Sequence, residues 1–177
     1  MYDLTFMFVL AENENTDTTS FTVTIIDDDP MQTQLLTDYL QSMNIKKIES
    51  FFSGEDFFKV LKKGEERLVL LDYDFGTKST MNGMKVLQEI RKRDPNIPVI
   101  MLSAQDNMDI AIETIRQGAL DYFNKSNKSS FANIISSILK INQLIKLKQT
   151  QKENMLTGIM IAVVLTIMVC LAIAHYF

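Results

Sequence analysis

Five side chains of reactive type stand at the ends of short apolar runs in this chain of 177 residues. Asp27 and Asp28 follow Phe21-Thr22-Val23-Thr24-Ile25-Ile26, Asp72 follows Leu68-Val69-Leu70-Leu71, and Ser103 follows the run from Ile97 to Leu102. Lys125 comes two residues after Phe123, where Ala119-Leu120-Asp121-Tyr122-Phe123 ends. Apolar runs that stop abruptly at polar residues read as buried strands, and in a parallel sheet they deliver those residues to the edge where ligands bind. Asp72 by itself could as well cap a loop or helix; what matters is whether the others converge on it. Three carboxylates at close range repel unless a cation joins them, and hard oxygen donors with open water positions suit Mg²⁺. A lysine and a hydroxyl beside them would surround an anion bound at the metal. The chemistry implied is that of phosphate.

Other chemistries are poorly served. The one histidine, His175, falls among the last three residues, so Ser-His-Asp and Cys-His catalysis in the main domain are not expected. The one cysteine, Cys170, allows neither an internal disulfide nor a cysteine-based zinc site. A net charge of −4 argues against a basic surface for nucleic acid, and no nucleic-acid partner is expected.

The elements that must position these residues alternate regularly. Strands are expected over Phe21–Ile26, near Ile45–Phe51, and over Leu68–Leu71, Ile97–Leu102 and Ala119–Phe123. Between them, apolar residues recur at helical spacing: Leu35, Leu36, Tyr39, Leu40 and Met43; Phe57, Phe58, Val60 and Leu61; Met84, Val86, Leu87 and Ile90. Asp29-Pro30 marks a helix start, with Asp29 as N-cap. Arg91-Lys92-Arg93 suits a helix C-terminus, and Gly118 stops the helix expected from Asp106 to Gln117. Five strand–helix alternations argue for a doubly wound α/β domain with a five-stranded parallel sheet. In the order 2-1-3-4-5 the first and third strands are neighbours at the switch point, which brings the three acids together.

The two ends of the chain differ from this pattern. Residues 1–20 are expected to be a disordered leader, because no Lys or Arg precedes their short apolar run as a signal peptide would require. The last helix starts near Ser129 or Ser130, carries Phe131, Ile134, Ile135, Ile138, Ile141 and Ile145, and can run on past Gln149. Its isoleucine face is expected to be domain core, with a dimer seam, and hence a homodimer, as the alternative. Met155 to Ala174 then holds no charged residue. Twenty residues at about 1.5 Å each give roughly 30 Å, the thickness of a bilayer core, so a transmembrane helix is expected over 155–174. Six lysines and one acid lie between 125 and 154, and His175-Tyr176-Phe177 follows the span. The positive-inside rule therefore places the large domain in the cytoplasm. The expected division is a domain over 21–146, a basic juxtamembrane linker over 147–154, the span over 155–174 and a tail over 175–177.

Taken together, Ile25-Ile26-Asp27-Asp28-Asp29-Pro30, Leu70-Leu71-Asp72, Met101-Leu102-Ser103-Ala104 and Gly118-Ala119-Leu120-Asp121-Tyr122-Phe123-Asn124-Lys125 resemble the receiver domain of two-component response regulators. The resemblance runs from about residue 21 to 145. It implies a flavodoxin-like fold and a phosphorelay role in which Asp72 takes a phosphoryl group from a sensor histidine kinase or phosphotransfer protein. Asp28 matches the direct Mg²⁺ ligand, Asp27 its partner, and the backbone carbonyl of Asp74 a further metal contact. Ser103 matches the switch hydroxyl, Lys125 the lysine that pairs with the phosphoryl group, and Tyr122 the aromatic switch residue. The chain is then not an enzyme acting on a separate substrate, but takes part in its own phosphorylation and dephosphorylation. The setting implied is a bacterial inner membrane, with an unidentified downstream protein as partner and no effector domain after Lys125.

Two departures from the family pattern stand out. Asp72 to Gly83 spans eleven residues, three more than the family pattern, and contains no Pro. Lys125 is followed by Ser126 where the family has Pro, so a cis bond is not expected there. Two other readings remain open: a degenerate receiver that only docks partners, and a haloacid dehalogenase-like phosphatase suggested by Asp72-Tyr73-Asp74. That phosphatase family needs an acidic pair downstream of the nucleophile, whereas Asp27-Asp28 lies upstream.

Overall fold

The computed structural model of the protein describes residues 17–76, 79–105, 107–127 and 129–176. Its first unit, Met1–Leu139, is built on five strands: β1 (Thr22–Ile26), β2 (Ile48–Phe51), β3 (Arg67–Asp72), β4 (Val99–Ser103) and β5 (Asp121–Asn124). All neighbouring strands pair in parallel, in the order β2-β1-β3-β4-β5. The central strands β3 and β4 are buried along their whole length. That accounts for the unbroken apolar runs of Leu68–Leu71 and Val99–Leu102, since each strand is covered on both faces.

Helices α1 (Pro30–Ser42), α2 (Gly54–Val60), α3 (Gly83–Arg93) and α4 (Met108–Arg116) fill the crossovers. Their starts follow local chemistry: Asp29, Ser53, Asn82 and Asn107 each accept backbone N–H groups of the first turn. On one face of the sheet, Ile26, Val69, Leu71, Val99 and Met101 pack with Phe57 of α2 and with Val86, Leu87 and Ile90 of α3. Each such fully buried side chain contributes about 1.5–3 kcal/mol. Tyr39 of α1 meets Phe131 of α5 (Ser130–Tyr176), their ring centroids 5.2 Å apart. Ile134, Ile135 and Ile138 are buried, so this part of the isoleucine face is domain core.

Most strands start one to three residues from the expectation, β1 at Thr22, β3 at Arg67 and β4 at Val99, and three further boundaries differ for a visible reason. β2 begins at Ile48, not Ile45, because Asn44 adopts a positive φ of 60° and the N–H of Ile45 still bonds the carbonyl of Leu40. β5 begins at Asp121, because Gly118 reverses the chain at φ 97° and the N–H of Ala119 turns back to Thr114. The expected leader of 1–20 is too long at its inner end. Thr18 donates through both its N–H and its hydroxyl to the turn after α1, at 2.9 and 3.0 Å. Asp17 accepts the N–H of Lys46 at 3.1 Å. Residues 1–16 of that leader, and Phe177 of the expected tail, lie outside the described residues.

The second unit, Lys140–Phe177, holds the remainder of α5, which ends at Tyr176. The helix runs on past Gln149 and includes the stretch 147–154. Among the described residues it is the one helix long and apolar enough to cross a membrane, and the side chains described over that apolar stretch are exposed.

Candidate functional site

The strand register assembles the acids. Ile26 pairs with Leu71, so the residue following β1, Asp27, comes beside Asp72 at the end of β3. Asp27 and Asp72 are 3% and 6% exposed, while Asp28 is half-buried. One carboxylate oxygen from each of the three lies within 4.8 Å of the other two. Asp27 is oriented by the N–H of Asp29, which donates to its Oδ1 at 3.0 Å, leaving Oδ2 to face the site.

Lys125 closes the cluster. Its backbone N–H donates to the carbonyl of Ser103 at 2.7 Å, which fixes the chain just past β5. From there its Nζ reaches Oδ2 of Asp27 at 2.6 Å and Oδ1 of Asp72 at 2.7 Å. This placement needs no proline at the next position: no cis peptide bond occurs among the described residues, and Ser126 instead donates its N–H to Oδ1 of Asn124 at 2.8 Å.

The electrostatics are not balanced by the lysine. Burial pushes the carboxyl of Asp72 up to about 6, and the charge of Asp27 adds to this. The Lys125 ammonium and the N–H of Asp74 offset only part of it. For Lys125, burial pulls downward but Asp72 and Asp27 outweigh it, so its pKa lies above the ordinary lysine range. The backbone N–H of Asp74 bonds the Asp72 carboxyl, a different atom from the carbonyl expected to contact the metal. A set of three hard carboxylate oxygens with residual negative charge fits a divalent cation with oxygen preference. Mg²⁺ at Asp27, Asp28 and Asp72 is chemically consistent with this donor set.

Ser103 and Tyr122 converge on a different point. Ser103 is 1% exposed and its Oγ accepts the N–H of Gln105 at 3.0 Å, while the hydroxyl of Tyr122 donates to the carbonyl of Gln105 at 2.8 Å. The two expected switch residues hold the same residue from both sides. They are linked to each other through Gln105, and to the acids through the register that pairs Asp72 with Leu102.

Two glycines at the site, and a glutamate behind it, make contacts that the sequence did not mark. The N–H of Gly76 donates to Oδ2 of Asp28 at 2.8 Å, and a Cβ at Gly76 would sit 2.8 Å from that same oxygen. At Gly83 a Cβ would fall 2.1 Å from the carbonyl oxygen of Asp72, so only glycine lets α3 start against the acceptor strand. Glu55, in the first turn of α2, bonds Ser79 and Thr80 of the long loop after β3. The sequence marks Gly83 only as the end of the long loop from Asp72, and gives no sign of these partners. Thr77 and Lys78 of this loop lie outside the described residues.

Comparison with known proteins agrees with this geometry. Residues 23–138 match the model of the response regulator receiver domain. The probable C4-dicarboxylate response regulator DctR of Bacillus subtilis is 28% identical over 140 residues, covering 78% of this chain and 61% of DctR. The transcriptional regulatory protein MalR of the same organism is 34% identical over 106 residues, with 43% of its length spanned. The chain therefore spans about half the length of these relatives. The chemotaxis protein CheY of Thermotoga maritima, 26% identical, is matched over 97% of its length and 68% of this chain. Among solved structures, the receiver domain of NtrX from Brucella abortus superposes with a TM-score of 0.59 at 26% identity, covering 67% of this chain and 98% of that domain. Sheet order, acid cluster and these matches coincide: the chain belongs to the response regulator receiver family of two-component signalling.

Proposed function

We propose that the protein is a membrane-tethered receiver that accepts a phosphoryl group on Asp72. The observation that carries this reading is the Lys125 ammonium held between Asp27 and Asp72, with Asp28 within 4.8 Å. With its pKa at about 6, Asp72 is mostly ionised at neutral pH and available as a nucleophile. One of its oxygens attacks the phosphorus of a phosphohistidine on a sensor kinase or phosphotransfer protein. The P–O bond forms as the P–N bond breaks, and the imidazole leaves with the electron pair. Hydrolysis reverses the modification when water attacks phosphorus and the carboxylate is released. Asp27, Asp28 and Asp72, with the carbonyl of Asp74, would hold Mg²⁺, whose charge offsets that on the phosphoryl oxygens. Lys125 serves the same oxygens once they replace its present partners.

The hydroxyl of Ser103 turns from Gln105 to a phosphoryl oxygen in this reading. Tyr122 follows because it is tied to the same residue. The acyl phosphate then shifts an equilibrium between two packings around β4, α4 and β5, presenting a changed surface to a downstream protein. The uncharged stretch 155–174 crosses the membrane and the lysine excess before it keeps the receiver in the cytoplasm. Self-association through α5 is a route by which the signal could pass on.

Incubation with acetyl phosphate and Mg²⁺, read by intact mass, tests the central step. The wild type should gain one phosphoryl group and Asp72→Asn none. Label that persists in Asp72→Asn would sink the assignment. A docking module would take no label at all, and steady phosphate release from an unrelated ester would favour the phosphatase.

A further inference from the structure

The long loop after Asp72 is pinned at both ends, and the far pin is a single carboxylate. Glu55 Oε1 accepts the N–H of Thr80 at 3.0 Å and also the Thr80 hydroxyl, while its Oε2 lies 3.0 Å from the hydroxyl of Ser79. The hydroxyl of Thr80 holds the Glu55 carboxyl below the usual carboxylate range, against a smaller upward effect of burial, so the group is charged at neutral pH. Ser79 Oγ in turn accepts the N–H of Met81 at 3.1 Å, and Asn82 caps α3 through the N–H of Lys85 at 3.0 Å. Gly83 follows with its N–H on the carbonyl of Tyr73 at 3.0 Å, in direct contact with the backbone of Asp72. At the near end, Phe75 is buried and the Gly76 N–H holds Asp28 Oδ2.

A loop three residues longer than the family pattern has more conformations to lose, and the acids it touches must be set before a cation can use them. We propose that Glu55 is a positioning residue for the cation site. By holding Ser79 and Thr80 on α2 it keeps the chain entering α3, with Gly83, against the Asp72 backbone, while the Gly76 N–H holds Asp28 at the near end. The inference rests on the reading of Asp27, Asp28 and Asp72 as a Mg²⁺ site. Glu55 itself touches none of them. Hydrogen-bond partners one step behind a metal ligand typically change affinity about 10- to 100-fold. Glu55 acts one step further back, and we expect the lower end of that range.

Calorimetric titration of Mg²⁺ into the full chain in detergent micelles, without phosphoryl donor, reads this directly. Glu55→Ala should raise the Mg²⁺ Kd about tenfold. Glu55→Gln, which keeps an oxygen acceptor for Thr80, should recover most of the loss. Thr80→Val should weaken binding less than Glu55→Ala, and the double variant no more than Glu55→Ala, because both remove one linkage. Acetyl phosphate labelling at saturating Mg²⁺ should stay within about twofold of wild type, a binding defect rather than a chemical one. A Kd unchanged in Glu55→Ala, or a labelling loss that saturating Mg²⁺ does not restore, would overturn the inference. If Glu55→Ala fails to fold, Thr80→Val decides, and an unchanged Kd there overturns it as well. A wild type that binds no Mg²⁺ sinks the underlying reading of the site; a binding wild type with insensitive variants sinks the role of Glu55 alone.

Discussion

Asp27 and Asp72 are charged side chains with 3% and 6% of their surface exposed, whereas Leu165 and Met168 are apolar side chains with 58% and 63% exposed. Each region inverts what water favours, in opposite directions. Buried charge is rare unless it is paired, and a contiguous apolar surface is rare unless something covers it. The acid cluster is only half answered by Lys125, since Asp72 remains pushed up to about 6. The apolar part of α5 has no cover within the chain among its described residues. Our reading supplies a cation and a phosphoryl group for the first and hydrocarbon for the second. In both regions the function is legible as what the polypeptide alone leaves unbalanced, and each imbalance can be attacked by reversing its sign.

Lysines in the middle of the apolar stretch should give the largest effect. Each lysine near the centre of a span costs about 2.5–3.5 kcal/mol, so Val164→Lys with Ile167→Lys costs about 5–7 kcal/mol of insertion. The double variant should leave the membrane pellet on alkaline carbonate extraction, while Val164→Leu with Ile167→Leu stays. Unchanged pelleting would mean that protein, not lipid, covers this helix.

The mirror experiment removes charge from the buried cluster. Lys125→Met leaves Asp27 and Asp72 facing each other without a counter-ion, and breaking a buried pair costs about 3–5 kcal/mol. Chemical denaturation without Mg²⁺ should show this loss, and added Mg²⁺ should restore much of it. Asp56 and Lys59 make an ion pair of the same length as Lys125 and Asp72, 2.7 Å, but on an exposed helix face. Lys59→Met should leave the midpoint unchanged within error. Equal losses at the two pairs would show that burial is not what sets the acid cluster apart.

The same contrast governs what could be read in advance. Asp27, Asp28, Asp72 and Lys125 were legible because each stands within two residues of the end of a local apolar run, and the α/β alternation then fixes the sheet edge on which they meet. The apolar stretch of α5 was legible for the same reason, being a property of consecutive residues. What escaped depends on pairs far apart in sequence. Gly76 meets Asp28 across 48 positions, and Thr80 meets Glu55 across 25. No periodicity marks such partners. Nor did any pattern place Ser103 and Tyr122 on one residue, Gln105. The strand boundaries at β2 and β5 were missed where Asn44 and Gly118 reverse the chain, since turn conformation overrode the apolar character of Ile45 and Ala119.

The smallest expected effect is the most direct measure of how far Lys125 balances the cluster. Asp72 has a folded pKa of about 6 against an ordinary value of 3.8. Between about pH 4 and 6 the folded state therefore binds more protons than the unfolded one, and stability contributed by this group falls as pH rises. It is fully present below the unfolded pKa and lost above the folded one, a change of about 2–3 kcal/mol at 1.36 kcal/mol per pKa unit. Glu55 and Asp94, whose pKa values lie below the ordinary range, act in the opposite direction in acid, so the raw pH profile mixes signs. The difference between Asp72→Asn and wild type isolates the term. Without Mg²⁺, the stability advantage of Asp72→Asn should widen by about 2–3 kcal/mol from pH 4 to 7, measured by denaturant titration. Saturating Mg²⁺, which favours the ionised carboxylate, should close that gap. A gap that does not change with pH would mean that Lys125 already neutralises the cost of burying Asp72. The acid cluster would then be balanced by the chain itself, and its likeness to the uncovered apolar helix would fail.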